Sequence, residues 1–267
     1  MNNILEKIIA DKRAEVEIRR SQRSLESLRQ AAEGLDRCRN FYKAVTKDNR
    51  RGLNVIAEVK KASPSAGVIR PDFDPVAIAE TYQRCGAEAI SVLTDEKYFQ
   101  GSLDYLRAIK SAVDLPILRK DFIIDQWQVY ESRAWGADAI LLIAEALPVG
   151  ELTDLLITAS QLTLTVLVEV HGADSLLAVR SLIGFPIKGY SVLGINNRDL
   201  ATMNVDLNTT SRLVELVDNR REVGAESGIR SRGDVEQLRR TGVGACLIGE
   251  SLCRSGRIED KFAELFG

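Results

Sequence analysis

Gly86-Ala87-Glu88-Ala89-Ile90 recurs in altered form as Gly136-Ala137-Asp138-Ala139-Ile140 and as Gly244-Ala245-Cys246-Leu247-Ile248. Each copy follows a segment of helical periodicity and opens an apolar run. The copies begin 50 and 108 residues apart, which is two units of about 25 and four of about 27, the length of one βα unit in a parallel barrel. The spacing predicts the second, fourth and eighth strands of one (β/α)8 barrel. Residues 55–59 supply the first strand, 116–119 the third, 163–170 the fifth and 191–195 the sixth. Residues 221–225 make a poorer seventh. These short runs, rich in Val, Ile and Leu, alternate with helical patterns, as a parallel sheet covered on both faces requires.

Helix ends punctuate the same units. Asp74-Pro75 reads as an N-cap followed by Pro at the first helical position, with Gly86 as the stop. Ser102, Asp125 and Ser231 read as further N-caps, and Gly136 and Gly242 as stops. Ahead of the first strand, Ile4, Leu5, Ile8 and Ile9, then Leu25, Leu28 and Ala32, fall at helical spacing, with Gly34 as a stop. The fold expected is therefore α/β, a single (β/α)8 TIM barrel over residues 1–267, with residues about 1–50 as an N-terminal helical extension. That extension either covers the barrel bottom or roofs its active-site end.

The 267 residues are 45% hydrophobic and 28% charged, with 6 Pro and 19 Gly. That excludes disorder and low complexity and leaves ample material for a core. Lys and Arg total 36 against 38 Asp and Glu, a net charge of −2, so no global field attracts nucleic acid or an anionic membrane. No apolar run approaches the roughly 20 residues of a transmembrane helix, and the N-terminus does not read as a secretory signal. Cys38, Cys85, Cys246 and Cys253 are scattered without metal-binding spacing, and His171 is the only histidine. Free thiols in a cytoplasmic setting are expected, with no metal site.

In such a barrel, chemistry sits at the C-terminal ends of the strands. The first strand ends in Glu58, Lys60, Lys61 and Ser63. The third ends in Arg119, Lys120 and Asp121, the fifth in Glu169 and His171, and the sixth in Asn196, Asn197 and Arg198. Glu226, Ser227 and Gly228 follow the seventh, and Gly249, Glu250 and Ser251 the eighth. Glu58 interrupts an apolar run, where an unpaired carboxylate is costly. Lys60 lies two residues on, on the same face of the strand, so the two are expected to pair at the mouth. Lysines set among carboxylates and apolar walls are groups whose protonation can be tuned for acid–base work. Structural salt bridging accounts for any one of these residues more easily than for the set. The turns after the seventh and eighth strands, with Gly228, Gly249, Glu250 and Ser251, lie where barrels often bind phosphate. Ser63 and Lys60 would complete that site, and residues 63–67 read as a mobile loop over it.

Taken in order, these segments resemble the indole-3-glycerol phosphate synthases, the barrels of tryptophan biosynthesis. The resemblance rests on Ile56-Ala57-Glu58-Val59-Lys60-Lys61-Ala62-Ser63-Pro64-Ser65, Leu93-Thr94-Asp95-Glu96-Lys97-Tyr98-Phe99-Gln100-Gly101-Ser102 and Leu118-Arg119-Lys120-Asp121-Phe122-Ile123. It continues through Leu167-Val168-Glu169-Val170-His171, Gly194-Ile195-Asn196-Asn197-Arg198-Asp199-Leu200, Ala225-Glu226-Ser227-Gly228-Ile229 and Leu247-Ile248-Gly249-Glu250-Ser251-Leu252. It implies a cofactor-free ring closure of 1-(2-carboxyphenylamino)-1-deoxyribulose 5-phosphate, a small phosphorylated substrate, to indole-3-glycerol phosphate, carbon dioxide and water. It assigns the acid at the ketone oxygen to Lys120 and the hold on the departing carboxylate to Lys60. Glu169, Glu58 and Lys60 stand as candidates for the remaining acid and base, with Asn196 and Arg198 orienting them or the substrate. Glu226 and Ser227 would bind sugar hydroxyls, and Phe99, Phe122 and Leu141 would wall the aromatic ring. The expected particle is a cytoplasmic monomer or weak homo-oligomer. Two rivals use the same residues: a Schiff-base aldolase or sugar-phosphate isomerase, and a non-catalytic phosphate binder.

Overall fold

The computed structural model describes residues 4–199 and 202–267; residues 1–3 of the extension and Leu200 of the sixth-strand segment lie outside them. Eight parallel strands close a barrel: β1 (Asn54–Val59), β2 (Ala89–Leu93), β3 (Ile117–Lys120), β4 (Ala139–Ile143), β5 (Thr165–Val170), β6 (Ser191–Asn196), β7 (Val223–Glu226) and β8 (Ala245–Ile248). Each strand pairs with its sequence neighbours, and β8 closes on β1 through Asn54–Ala245 and Val55–Cys246. The expected strands are all present, with shifted ends. The fifth starts at Thr165 because Leu162 and Thr163 still bond back to Thr158 and Ser160 of the preceding helix. The seventh starts at Val223 because Arg220–Glu222 coil into a 3-10 turn capped by Asn219.

The recurring five-residue pattern has a structural reason in two of its copies. The acidic third residue holds the start of the neighbouring strand. Glu88 Oε2 accepts the Val55 amide at 2.7 Å, and Asp138 Oδ2 accepts the Ile117 amide at 3.0 Å. In the third copy this position is Cys246, which is buried without a charge. The N-caps expected at Asp74, Ser102, Asp125 and Ser231 all accept backbone amides of the helices they open.

Strand alternation divides the apolar residues into two cores. Ile56, Leu118, Leu141, Leu167, Val192 and Leu247 fill the barrel, whereas Val55, Ala57, Ile90, Val166 and Ala225 pack outward against the helices. The same alternation sends the charged residues at the strand ends to opposite sides. Glu58, Lys120, Glu169 and Glu226 share the parity of the interior residues. Arg119 and Asn197 share the outward parity, which corrects the expectation that they face the mouth. Asn197 braces the turn after β7 by donating to the Glu226 and Ser227 carbonyls.

The extension forms α1 (Ile4–Gln22), α2 (Leu25–Glu33) and α3 (Phe41–Thr46). It covers both ends of the barrel. Phe41 and Val45 of α3 join the interior core, and the Asn54 side chain at the start of β1 donates its Nδ2 to the Val45 and Lys47 carbonyls. Ile4, Leu5 and Ile8 of α1 line the opposite end, at the strand C-termini. Lys12 of α1 is buried there, with its ammonium 2.8 Å from Asp95, 3.1 Å from Asp121 and 2.7 Å from Glu15. Behind it, Arg119 pairs with Asp121 at 2.9 Å and with Glu131 at 2.9 Å, and Glu131 also takes Arg19 of α1 at 2.6 Å. Burial alone would push the Asp121 carboxyl up; Lys12 and Arg119 outweigh it and hold the group well below the usual carboxylate range.

Removing one partner from a buried ion cluster leaves charge uncompensated, at a cost of about 3–5 kcal/mol. Lys12→Met is expected to lower stability by about that amount at pH 7, read as a fall in the urea midpoint. A depressed carboxyl stabilises the fold above its unfolded value of about 3.9 and loses that contribution as pH falls. The gap between wild type and Lys12→Met should therefore narrow below about pH 4; a gap constant down to pH 3 would remove Asp121 from the account.

Candidate active site

The strand C-termini and α1 enclose a cavity of about 550 Å3, and every catalytic, substrate-binding and phosphate-binding candidate named from the sequence lines it. At its centre is the ammonium of Lys120, which ends β3. It lies 2.7 Å from Glu169 Oε2 at the end of β5 and 3.2 Å from Glu226 Oε2 at the end of β7. The strand register places these groups: Lys120 pairs across β2 with Leu93, Glu169 stands opposite Gly194, and Glu226 opposite Asn196. On β1, Glu58 reaches towards the same ammonium and receives Lys60 Nζ at 3.4 Å, the expected pair at the mouth.

Burial would push the Lys120 ammonium down, but Glu169, Glu226 and Glu58 outweigh it and raise it far above its ordinary value. The two glutamates around it diverge. Glu169 is held well below the usual range, because Lys120 and then His171 overcome its desolvation. Glu226 is pushed up to about 8 by burial and by the charge of Glu169, against the pull of Lys120. Beside an ammonium held in its charged form, the surroundings thus drive two like groups apart, Glu169 towards the carboxylate and Glu226 towards the protonated carboxyl. Such a separation of two like groups is how one site carries an acid and a base together.

Two glycines make room for this cluster. A Cβ on Gly249 would lie 2.5 Å from Glu58 Oε1 and 2.9 Å from its Cβ, while a Cβ on Gly194 would run into Glu226 Oε1. The backbone at Gly249 has φ −130°, outside the left-handed region that favours glycine, and it is the Glu58 side chain that leaves no room for a larger residue there. The sequence reading gave Gly249 only a phosphate to accommodate; its near neighbour is a carboxylate of the central cluster.

Either side of the charges, the cavity differs in character. Phe99 and Phe122 stand with ring centroids 6.2 Å apart, beside Leu141 and the α1 residues Ile4, Leu5 and Ile8. Lys60 Nζ lies 5.5 Å from the Phe99 ring centroid. At the other end are Ser63, Ser227, Gly228, Gly249, Glu250 and Ser251, joined by Arg230, Arg254 and Lys261. Ser63 Oγ accepts the Ala66 amide at 3.2 Å and so folds its own loop, and Ser251 Oγ donates to the Ile229 carbonyl. Glu250 is paired with Arg254 at 3.0 Å, with Arg198 at 3.9 Å, which limits its repulsion of an anion. Asn196 Oδ1 accepts the Arg198 amide at 3.0 Å, and Arg198 donates to the Met203 carbonyl.

The sequence reading did not select the α1 residues, the three distal cations, or the link from His171 to Glu169. The helical periodicity of residues 4–9 was visible, but not the end of the barrel it would meet. Lys261 comes from the last helix, Ile258–Phe266, which no strand-end rule would single out.

Comparison with known proteins agrees with this geometry. A family model described as indole-3-glycerol phosphate synthase matches residues 5–265. The chain is 49% identical over 264 residues to the indole-3-glycerol phosphate synthase of Geobacillus kaustophilus, covering 99% of this chain and 97% of that protein. It is 49% identical over 267 residues to that of Acidithiobacillus ferrooxidans (strain ATCC 53993 / BNL-5-31), covering 100% and 99%. It is 46% identical over 268 residues to that of Laribacter hongkongensis, covering the whole of both. Among solved structures, a 3-hexulose-6-phosphate synthase superposes with a TM-score of 0.63 at 13% identity, over 80% of this chain and 98% of that one. A thiamine phosphate pyrophosphorylase from Pyrococcus furiosus gives 0.57 at 17% identity, over 81% and 96%. At such identities these two show the barrel alone.

If Glu58 is what excludes a side chain at position 249, Gly249→Ala should destabilise the protein by about 1–3 kcal/mol, the usual cost of overpacking. Trimming the obstacle should relieve it. In a double-mutant cycle on thermal or urea unfolding, Gly249→Ala should cost at least about 0.5 kcal/mol less in a Glu58→Ala background than in wild type. Additive effects would mean that Gly249 serves something other than Glu58.

Proposed function

The chain belongs to the indole-3-glycerol phosphate synthase family, and from that membership we propose how the residues of its barrel mouth divide the work. It is a carboxy-lyase that converts 1-(2-carboxyphenylamino)-1-deoxyribulose 5-phosphate to indole-3-glycerol phosphate, carbon dioxide and water. The ring carbon bearing the carboxylate attacks the ketone carbon, the carboxylate leaves as carbon dioxide, and the former ketone oxygen departs as water with loss of a ring proton. Each step moves charge onto or off an oxygen, which positioned donors stabilise.

The observation that carries the assignment is Lys120, a buried ammonium held between two glutamates beside an aromatic slot. Lys120 donates to the ketone oxygen as negative charge builds there during ring closure. Its pairing with Glu169 and Glu226 keeps it protonated and aimed into the cavity. Glu169, ionised, is the base of the dehydration. Glu226, carrying a proton at neutral pH, supplies a hydrogen-bond donor for a sugar hydroxyl or for the departing one. Lys60, above the Phe99 ring and paired with Glu58, holds the anthranilate carboxylate until it leaves. Asn196 and Arg198 set the rim over the ribulose chain. Phe99, Phe122 and Leu141 sandwich the aromatic ring. Ser63, Ser227, Gly228, Gly249, Glu250 and Ser251, with the nearby cations, receive the phosphate.

A Schiff-base mechanism fits this site less well. A lysine acting as an amine nucleophile must shed its proton, and the surroundings of Lys120 oppose that. Borohydride in the presence of substrate should therefore trap no covalent adduct.

The eight strands close one barrel with the N-terminal helices packed on it, which supports a single domain. Among the described residues, no helix is long and apolar enough to cross a membrane. The free state of all four cysteines supports a reducing, cytoplasmic setting.

The direct test is the fluorescence of indole-3-glycerol phosphate released from the anthranilate-linked ribulose phosphate. Lys120→Ala should lower kcat by about 10²- to 10⁴-fold, the usual worth of a positioned acid, while calorimetry still detects inorganic phosphate binding at wild-type affinity. A variant that keeps more than about a tenth of wild-type kcat would remove Lys120 from the role of acid.

A further inference from the structure

His171 is the only histidine of the chain, two residues beyond Glu169 on the turn that follows β5. Its side chain is 10% exposed, and both ring nitrogens face carboxylates. Nδ1 lies 3.0 Å from Glu145 Oε2, on the turn after β4, and Nε2 lies 3.2 Å from Glu169 Oε1. The His171 backbone amide also donates to Glu145 Oε1 at 2.8 Å, so Glu145 fixes the residue twice. A neutral imidazole that donates its one N–H to Glu145 would turn a lone pair towards Glu169; the imidazolium turns an N–H towards both. The contact with Glu169 lies off the N–H line, so charge attraction carries more of it than hydrogen bonding does.

This contact bears on a choice that the rest of the cluster leaves open. Glu169 and Glu226 are two buried neighbouring carboxyls, and such pairs retain a proton between them. Lys120 touches both, with a hydrogen bond to Glu169 at 2.7 Å and a looser contact to Glu226 at 3.2 Å, a bias of distance rather than of partner. Glu58 faces Lys120 from β1 and is answered by Lys60. Among the described residues, the one cation in contact with Glu169 and not with Glu226 is His171. We infer that His171 is a positioning residue which, as an imidazolium braced by Glu145, places the shared proton on Glu226 and leaves Glu169 as the ionised base. This inference rests on the assignment of Glu169 as base in the preceding section.

The electrostatics of the neighbourhood agree. Burial alone would push the His171 imidazole down, but Glu145 and Glu169 outweigh it and raise it to about 10. Asp174 from the helix Ala173–Val179 and Asp199 beyond β6 line, with Glu145 and His171, a cleft of about 360 Å3 beside the mouth.

A single histidine makes the test direct. In untagged wild-type protein, the imidazole nitrogens observed by NMR are expected to remain those of an imidazolium beyond pH 8. In Glu169→Gln the titration should move to lower pH by a unit or more. In steady-state assays, His171→Asn should lower kcat by about tenfold at pH 7 with KM within about twofold. It should also move the acid limb of the kcat–pH profile upwards by about one unit, because Glu169 then gains its proton more easily. Glu145→Gln, which leaves His171 in place, should move that limb the same way by less, and serves if His171→Asn fails to fold. A wild-type histidine that titrates near 6.5, or an acid limb unmoved in both variants, would overturn the inference. Failure of the underlying assignment looks different: Glu169→Gln would then retain kcat close to that of wild type, whatever His171 does.

Discussion

An ammonium inside a barrel has to be neutralised by groups that are themselves buried, and Lys120 imposes that condition on every strand end around it. An isolated buried ion costs several kcal/mol, and the cost is recovered only where partners sit at close range with their other atoms satisfied. Glu169 and Glu226 meet Lys120 from β5 and β7, and Glu58 approaches from β1. Three carboxyls around one ammonium would leave excess negative charge in a space of low dielectric. Two cations answer the excess, Lys60 beside Glu58 and His171 beside Glu169, and burial together with the charge of Glu169 pushes the Glu226 carboxyl up. Room for the carboxyls then requires that the facing positions carry no side chain, and Gly194 and Gly249 stand there.

The same short strand also ties the site to its roof. Because side chains alternate along β3, Lys120 points into the mouth and Arg119, one residue earlier, points into the helical layer. Arg119 is fully buried and anchors Asp121 and Glu131, which in turn receive Lys12 and Arg19 of α1. Two ionic networks of opposite orientation thus share consecutive residues. The helix that contributes Ile4, Leu5 and Ile8 to the cavity wall is held by the strand that carries the central ammonium. A displacement of α1 would be felt at Lys120 through one peptide unit rather than through a long chain of contacts.

The barrel was legible because its signal is redundant. A repeat of βα-unit length, glycine stops, capping residues and apolar runs all required the same strand count. The inward candidates were legible through period two: Glu58 within an apolar run, then Lys60, announces a polar group facing the interior. At β3 and β6 the same period separates Arg119 and Asn197, which face outward, from Lys120 and Asn196, although all four lie together at their strand ends. What the sequence could not show is proximity between distant segments. Nothing in the local pattern around Gly249 names Glu58 as its neighbour, and nothing around residues 4–12 tells which end of the barrel they cover. The unlike protonation of Glu169 and Glu226 is likewise invisible in two glutamates that end similar strands. It arises only from which cations reach each of them.

The arrangement along the cavity matches the order of groups in the substrate. One end offers aromatic and aliphatic walls from Phe99, Phe122, Leu141 and α1, and the other gathers Arg230, Arg254 and Lys261 around the turns after β7 and β8. An anthranilate ring and a phosphate at opposite ends of one ribulose chain can satisfy both regions only in one direction. That direction lays the carbons that react across Lys120, Glu169 and Glu226, in the middle. On the roles proposed above, binding energy gathered at the two ends, remote from the bonds that change, would serve to hold the ketone oxygen against the ammonium in reacting geometry. The barrel supplies the separation: β3 and β5 carry the charged centre, the loops after β7 and β8 carry the proposed anion site, and α1 closes the apolar side.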